Sequence, residues 1–554
     1  MKDKINKGDI GFIISIGVLL ALLIIRCFYG FGVAFADEFS QPAVVKRFFE
    51  GDRLLIDDWQ PATTLIGFFI YSCISFLSRF EFTLLELRIF YVVFQFVVAA
   101  LFLFFSGWKD KGTRICAIVY LCSTPYGIMS ISYNTVAIGA FLIFLSLFMT
   151  EFRTCKVVAA GAVYAIATLA NPYLAVLFFI YTLISIAFTL LKRQNTYFNI
   201  KRLAYVIGGI IIVFVPFCMT LITRGTIQEY LVNLSFIMND KEHSEYGIFT
   251  KLVMSQYQIV RVYWRIWVPL AVIILIAYFT RRKENARRWI YVLVCAIVIY
   301  GTIRFAFIYG SVSINLMITP LLFWGIMMIV LLRIWNNNLK EYYNEIAWMI
   351  AGYLFAVCNY LATNTEILSM SAMLIIAIIA SIKIAVRLFD ERFDSLCTVA
   401  GYVVILVFVG SLLALRLTYI WGDSIADTFE ARIDQGVAKG IYTSEQTIKE
   451  YDEALRIIDA AGITSDDVVL FVPINALYYL ETSGGISSPY VGRFEVDADE
   501  LKDYYKLHPY KMPTKVLFIN QDIGEYDVLV DYFKTEGYDY TIIDEKSVVL
   551  SRKN

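Results

Sequence analysis

Apolar segments of nearly bilayer-spanning length recur along this chain. A membrane-spanning helix needs roughly 20 mostly apolar residues, and 59% of this sequence is hydrophobic while only 17% is charged. The predicted spans are 9–29, 84–106, 115–131, 134–150, 157–170, 173–190, 203–223, 263–280, 289–309, 312–332, 343–361, 367–387 and 396–416. Residues 1–418 are therefore predicted to form a polytopic, all-α membrane domain with about 13 spans.

Basic residues concentrate in every second connector between these spans. The clusters are Lys109/Lys111/Arg114, Arg153/Lys156, Lys192/Arg193/Lys201/Arg202, Arg281/Arg282/Lys283/Arg287/Arg288, Arg333/Lys340 and Arg387/Arg392, together with Lys2, Lys4 and Lys7. The positive-inside rule places these connectors and the N-terminus in the cytoplasm. The alternation holds only if the apolar stretch 63–80 is an interfacial or re-entrant helix, because an additional span would reverse every later loop.

This topology places three polar regions outside the membrane. The first outer loop covers 30–83 and includes an amphipathic helix predicted at 40–50. The second outer loop covers 224–262. Residues 419–554 then alternate between helical and strand patterns, which predicts a small extracytoplasmic α/β domain.

Composition argues against several classes of function. Lys+Arg and Asp+Glu both total 48, so no basic excess favours nucleic acid as a partner. The chain has nine Cys, scattered singly through the apolar part, and two His, which argues against disulfide staples and multi-histidine metal centres. Membrane lipids are the first partners that the sequence implies.

An acidic pair, Asp37-Glu38, follows the first span directly. A carboxylate at the membrane surface can serve as a general base. The alternative is that the pair merely begins the amphipathic helix, where acidic side chains favour the positive end of the helix dipole. Position alone leaves both interpretations open.

With this pair, the amphipathic loop and a later Pro-containing motif, the chain resembles the GT-C superfamily of membrane glycosyltransferases. The similarity is greatest to protein O-mannosyltransferases and to the aminoarabinose transferases of lipid A. The resemblance implies that Asp37 is the catalytic base, with Glu38 beside it. It also matches the family's acidic x-Pro-Pro motif to Asp57-Asp58-Trp59-Gln60-Pro61, where Gln60 replaces one proline.

A further family motif, a Pro-containing turn before an acidic residue, matches the segment from Thr124-Pro125 to Tyr133-Asn134. Asn134 stands where the family has the acid. An amide can bind a hydroxyl but cannot neutralise a cation, so this change argues against a two-carboxylate metal site. No metal ligands are assigned, and a divalent cation is left open as a cofactor.

Several arginines lie at the predicted outer ends of spans, against the usual charge bias. Arg304, Arg261 and Arg265 are the candidate ligands of a donor phosphate, because the guanidinium fork suits phosphate oxygens. For any single one of them, snorkelling toward lipid phosphates is the simpler explanation, but the presence of several together favours a phosphate site. His243 in the second outer loop is a candidate acceptor ligand, although its polar neighbours also fit a solvated loop.

The predicted function is therefore transfer of a sugar from a polyprenyl-phosphate-linked donor to a glycan, lipid or protein acceptor of the cell envelope. The competing prediction is a transporter or flippase of lipid-linked saccharides. Transport predicts ionisable residues near the centres of several spans, whereas catalysis at the outer face predicts them at outer ends. The sequence shows the second pattern.

Overall fold

A computed structural model describes most of the chain. The described residues are 7–32, 36–150, 153–193, 195–238, 246–308, 313–335, 338–363, 367–420, 423–492 and 496–552, with backbone alone at 7, 36, 37, 61 and 62.

Helices dominate the first three quarters of the chain. They are α1 Lys7–Arg26, α2 Ala36–Phe49, α3 Pro61–Ile74, α4 Leu84–Ser106, α5 Lys111–Cys122, α6 Tyr133–Phe148, α7 Thr154–Ala170, α8 Leu174–Leu190, α9 Ile200–Arg224, α10 Ile227–Met238, α11 Ile248–Val262, α12 Trp264–Thr280, α13 Glu284–Phe307, α14 Ser313–Leu316, α15 Thr319–Ile334, α16 Tyr343–Ala362, α17 Ile367–Met373, α18 Ile375–Glu391 and α19 Ser395–Thr418.

Each predicted span overlaps a helix or a pair of consecutive helices. Among the described residues, seven helices are long and apolar enough to cross a bilayer, and two bent pairs, α11 with α12 and α17 with α18, bring the number to nine. Shorter apolar helices, among them α6, α7 and α8, account for further predicted spans. The chain is thus a multi-pass membrane protein, and the number of thirteen stays a prediction.

Two boundaries differ from the predicted ones. The predicted span 115–131 ends early, because α5 stops at Cys122 and the following residues form a 3₁₀ turn over Pro125–Gly127. A proline lacks the N–H that would continue a helix. The segment expected at 63–80 folds as α3, whose 14 residues rise only about 21 Å, less than the bilayer core.

Small residues bring neighbouring helices into close contact. A Cβ atom at Gly209 of α9 would lie 1.9 Å from the carbonyl oxygen of Val158 on α7. At Gly161 of α7 it would lie 2.1 Å from the carbonyl oxygen of Val206. Close approach of two backbones increases their van der Waals contact. This packing stabilises helix pairs in a bilayer, where the hydrophobic effect does not drive them together.

The tail folds as the predicted α/β domain. Its strands are β1 Ala431–Arg432, β2 Tyr442–Thr443, β3 Val468–Val472, β4 Gly485–Ile486, β5 Lys515–Phe518, β6 Tyr538–Asp544 and β7 Ser547–Arg552, and its helices are α20 Glu445–Ala460, α21 Ala476–Leu480, α22 Ala498–Leu507 and α23 Asp527–Thr535. Five strands form one sheet in the order β4-β3-β5-β7-β6. Strands β4, β3 and β5 run parallel to one another. Strand β7 runs antiparallel to both of its neighbours, β5 and β6. The expected fold class, a helical membrane domain followed by a small α/β domain, is confirmed.

The orientation of the chain can be tested with reporters. A reporter fused after Asn554 is expected outside the membrane, and one inserted between Arg281 and Arg288 is expected inside, because the basic connectors alternate. Paired phosphatase and fluorescent-protein fusions measure both positions. A cytoplasmic signal at the C-terminus would contradict the topology.

Candidate active site

Residues 28–31, which follow α1, are held by the C-terminal domain. The amide of Gly30 donates to the carbonyl oxygen of Tyr442 (2.9 Å), and the amide of Tyr442 donates to the carbonyl oxygen of Phe28 (2.8 Å). The amide of Phe31 donates to the carboxylate of Asp423 (2.5 Å). Strand β2 and Asp423 therefore hold the backbone that leads into α2.

The predicted acidic pair lies in the first turn of α2, which begins at Ala36. The Asp37 side chain is outside the described part of the structure. Glu38 forms a two-pronged ion pair with Arg88 on α4, whose Nε and Nη2 lie 2.6 and 3.0 Å from the carboxylate oxygens. Arg88 also donates to the carbonyl oxygen of Gly30 (2.8 Å). This geometry fixes the first turn of α2 against α4 and occupies both Glu38 oxygens.

Three buried arginines lie beneath this turn. They are Arg26 at the end of α1, Arg88, and Arg416 near the end of α19, exposed by 4%, 2% and 2%. Arg26 donates to the carbonyl oxygens of Arg416 (3.1 Å) and Tyr419 (3.1 Å). Arg416 donates to the side-chain oxygen of Gln95 (2.5 Å). Most hydrogen bonds from these three arginines go to uncharged carbonyl oxygens rather than to carboxylates. The region beneath the first turn of α2 therefore keeps a net positive charge.

Within the first outer loop, Asp58 is held by a buried ion pair and by hydrogen bonds. Its carboxylate lies 2.6 Å from Nη1 of the fully buried Arg47. It also accepts hydrogen bonds from the Thr64 hydroxyl (2.6 Å) and the Gln60 amide (2.8 Å). Arg47 in turn reaches Asp52 at 2.7 Å. These partners contact both carboxylate oxygens of Asp58, which is fully buried.

Asp57 and Trp59 join the loop to its neighbours. Asp57 accepts from the Arg53 backbone amide (2.7 Å) and from the Tyr510 hydroxyl, and it lines a cavity of about 760 Å³. The indole N–H of Trp59 donates to the side chain of Asn233 on α10 (2.8 Å), and the ring stacks on Phe236. Trp59 is buried, and these contacts connect the loop to α10.

Three buried amide oxygens have no hydrogen-bond partner among the described residues: Oε1 of Gln41, Oε1 of Gln60 and Oδ1 of Asn134. Gln41 lies one helical turn after Asp37, on the same face of α2. Gln60 precedes α3, and Asn134 opens α6, which contacts α3. Buried acceptors without a partner are costly, and hydroxyl groups of a bound ligand would supply the missing donors.

The turn before α6 is held by distant residues. Tyr126 adopts a left-handed backbone (φ 58°), and its amide donates to the side chain of Asn315 (2.9 Å). A Cβ atom at Gly127 would lie 2.4 Å from the Tyr419 ring. These contacts fix the entry to α6, where Tyr133 is half-buried and Asn134 is buried.

Helix α11 in the second outer loop turns its polar face inward. Lys251, Ser255 and Gln258 are buried, whereas Phe249 and Val253 on the opposite face are exposed. The helix bends by 80° from α12. If α12 spans the bilayer, α11 lies along the membrane surface with its apolar face toward lipid. Its polar face then borders the interior of the protein.

The predicted phosphate ligands occupy two environments. Arg261 and Arg265 are exposed at the junction of α11 and α12, and the Arg265 guanidinium lies 5.2 Å above the Trp264 ring. Arg304 is half-buried near the end of α13, which packs against α12. His243 lies outside the described residues. The roles predicted for these four residues stay predictions.

Lys251 is a further candidate phosphate ligand, which the sequence analysis did not identify. Lys251, Ser255 and Gln258 follow the spacing of one helical face, and this pattern is visible in the sequence.

No group of three or more His, Cys, Asp or Glu side chains in the described part of the chain is arranged to hold a metal ion.

No protein-family model matches the chain, and no curated protein matches it. Two solved structures are similar in overall shape. The chain aligns with ArnT from Cupriavidus metallidurans bound to undecaprenyl phosphate over 97% of each chain, with a TM-score of 0.49 and 11% identity. It aligns with the oligosaccharyltransferase AglB from Archaeoglobus fulgidus, in complex with an inhibitory peptide and a dolichol-phosphate, over 98% of this chain and 74% of that one, with a TM-score of 0.44 and 10% identity.

Proposed function

We propose that this protein is a GT-C-type glycosyltransferase that moves a sugar from a polyprenyl-phosphate-linked donor to a cell-envelope acceptor at the outer membrane face. The observation that carries the proposal is the placement of Asp37 and Glu38 in the first turn of α2. The ion pair between Glu38 and Arg88 fixes that turn. The role of Glu38 is positioning, which leaves Asp37 as the base.

The chemical step needs one base and one leaving group. Asp37 takes the proton of the acceptor hydroxyl as its oxygen forms a bond to the anomeric carbon. The bond between that carbon and the phosphate oxygen breaks, and its electron pair leaves on the polyprenyl phosphate. The resemblance to GT-C enzymes implies inversion at the anomeric carbon. Gln41, Gln60 and Asn134 then orient sugar hydroxyls through their unpaired amide oxygens.

The departing phosphate needs positive charge. Lys251 lies on the inward face of α11, and Arg304 lies in the last turn of α13, at its predicted outer end; these two are our preferred ligands. Arg261 and Arg265 are exposed, and they can meet the donor as it arrives from the bilayer. Preorganised cations aimed at developing charge commonly lower the barrier of such reactions more than any other group in the site.

Purified protein in proteoliposomes tests the proposal. Membranes are loaded with a series of radiolabelled polyprenyl-phosphate sugars, and an envelope extract supplies acceptors. We expect label to move from the lipid fraction into one acceptor class, with release of unlabelled polyprenyl phosphate. Mass spectrometry of envelope glycans with and without the gene identifies the physiological sugar.

The same experiment separates the flippase alternative. A flippase would move the intact labelled lipid between leaflets and leave the sugar–phosphate bond unbroken. The buried arginines favour catalysis, since Arg26, Arg88 and Arg416 all lie at predicted outer helix ends rather than at span centres.

A further inference from the structure

An apolar cavity of about 300 Å³ lies inside the membrane domain, between α6, α7, α8, α9 and α16. Aromatic rings, among them Phe144, Phe178 and Tyr181, form much of its wall. Two lining residues, Ile180 on α8 and Ile350 on α16, are also 42% and 54% exposed. The cavity therefore opens toward the bilayer.

The hydroxyls of the tyrosines in the wall are hydrogen-bonded to other groups of the protein. Tyr164 donates to the carbonyl oxygen of Leu174 (2.6 Å), and Tyr181 donates to the carbonyl oxygen of Tyr197 (3.1 Å). The Tyr197 hydroxyl donates to the side chain of Asn344 (2.5 Å). Because these hydroxyls are hydrogen-bonded within the protein, the wall of the cavity is apolar. Such a space excludes water and suits a hydrocarbon chain.

A basic pocket of about 620 Å³ adjoins the connector between α8 and α9. Lys192, Arg193 and Lys201 line it. Within the described part of the chain, no carboxylate lies within ion-pair distance of Lys192 or Arg193. The side chain of Asn199 caps α9 by accepting from the Arg202 amide (2.8 Å), and the positive end of the helix dipole adds to the field.

The two spaces share a wall. Phe188 lines the basic pocket and Phe198 lines the cavity, and their ring centroids are 5.7 Å apart. The buried Arg202 donates to the carbonyl oxygen of Thr196 at the pocket (3.0 Å) and stacks 4.4 Å above Phe148 of the cavity.

We propose that the pocket and the cavity together bind one anionic phospholipid. Its headgroup phosphate lies among Lys192, Arg193 and Lys201, and one acyl chain enters the aromatic cavity. Charge complementarity favours an anionic over a zwitterionic headgroup. The basic connectors identify this face as cytoplasmic, so the site is on the opposite side of the membrane from the proposed active site and does not depend on it.

Full-length protein in nanodiscs of equal phosphatidylglycerol and phosphatidylcholine tests this site by native mass spectrometry. Wild type is expected to retain one phosphatidylglycerol. The variant Lys192→Gln/Arg193→Gln/Lys201→Gln should retain it at least about fivefold less, because each basic residue near a membrane surface contributes about 1 kcal/mol. The cavity-filling variant Ala351→Trp should show a similar loss, since Ala351 lines the cavity.

The matched control is Arg281→Gln/Arg282→Gln/Lys283→Gln, which removes three exposed charges from another basic connector. It should retain lipid as wild type does, as should the charge-preserving Lys192→Arg/Lys201→Arg variant. Because the three replaced side chains of the pocket are exposed, their loss should leave the unfolding temperature unchanged. Retention of phosphatidylglycerol by the first variant, or retention of phosphatidylcholine or added polyprenyl phosphate instead, would overturn the proposal.

Discussion

Replacing Asp37 by Asn is expected to lower sugar transfer by roughly 10²–10⁴-fold, the usual contribution of a general base. The amide keeps the size of the side chain but cannot accept the proton of the acceptor hydroxyl. Insertion depends on the apolar run of α1 and should be unchanged. Transfer of label from the lipid-linked donor, measured in membranes with equal amounts of protein, gives the result.

Two neighbouring variants sharpen this experiment. Glu38→Gln should weaken transfer less than Asp37→Asn, but it should also lower the unfolding temperature, because it leaves Arg88 buried without its carboxylate. Asn134→Asp should be tolerated if this position orients the acceptor. Near-wild-type transfer by Asp37→Asn would assign the base to another residue, and Asp58 is a poor substitute because Arg47 and Thr64 occupy it.

Much of the architecture could be predicted because it depends on local patterns. A span or a buried strand is visible in its own residues, as the apolar runs of β3 and β7 show. The amphipathic helix expected at 40–50 is α2, which begins four residues earlier at Ala36. The first-turn position of Asp37 and Glu38 follows from that start.

The pairing of charges could not be predicted, because it depends on residues distant in the sequence. The resemblance matches Asp57 and Asp58 to the family's acidic motif, but it does not reveal that Arg53 and Arg47 form ion pairs with them. The pairing of β2 with the segment after α1 joins residues about 400 positions apart, and a two-residue strand has no recognisable pattern of its own.

For a different reason, the sequence did not predict that the polar face of α11 points inward. Its periodicity is clear, with Lys251 and Ser255 on one side and Phe249 and Val253 on the other. In a soluble protein the apolar side would face the core. In a membrane protein lipid covers the outside, so the same pattern can turn either face inward.

The largest effect on stability is expected from Arg47→Met. Arg47 is fully buried and binds Asp52 and Asp58 at 2.7 and 2.6 Å. Methionine fills a similar volume but leaves two buried carboxylates short of a partner, which typically costs about 3–5 kcal/mol. Thermal unfolding of the detergent-purified protein, followed by tryptophan fluorescence, should show a large drop in the transition temperature.

Arg53→Met is the matched control. Arg53 belongs to the same loop and pairs with Glu229 at 2.8 Å, but its side chain is 28% exposed, and an exposed pair contributes only about 0–1 kcal/mol. Equal shifts for the two variants would contradict the assignment of Arg47 as the buried anchor.

The pH dependence of the Arg47→Met defect adds an independent check. Burial already raises the pKa of the Asp58 carboxyl, and removal of the Arg47 cation raises it further. A carboxyl with a raised pKa in the folded state takes up a proton on folding, so stability falls as the pH rises toward that pKa. The defect of Arg47→Met should therefore be smallest in mildly acidic buffer and grow toward neutral pH, whereas Arg53→Met should show no such trend.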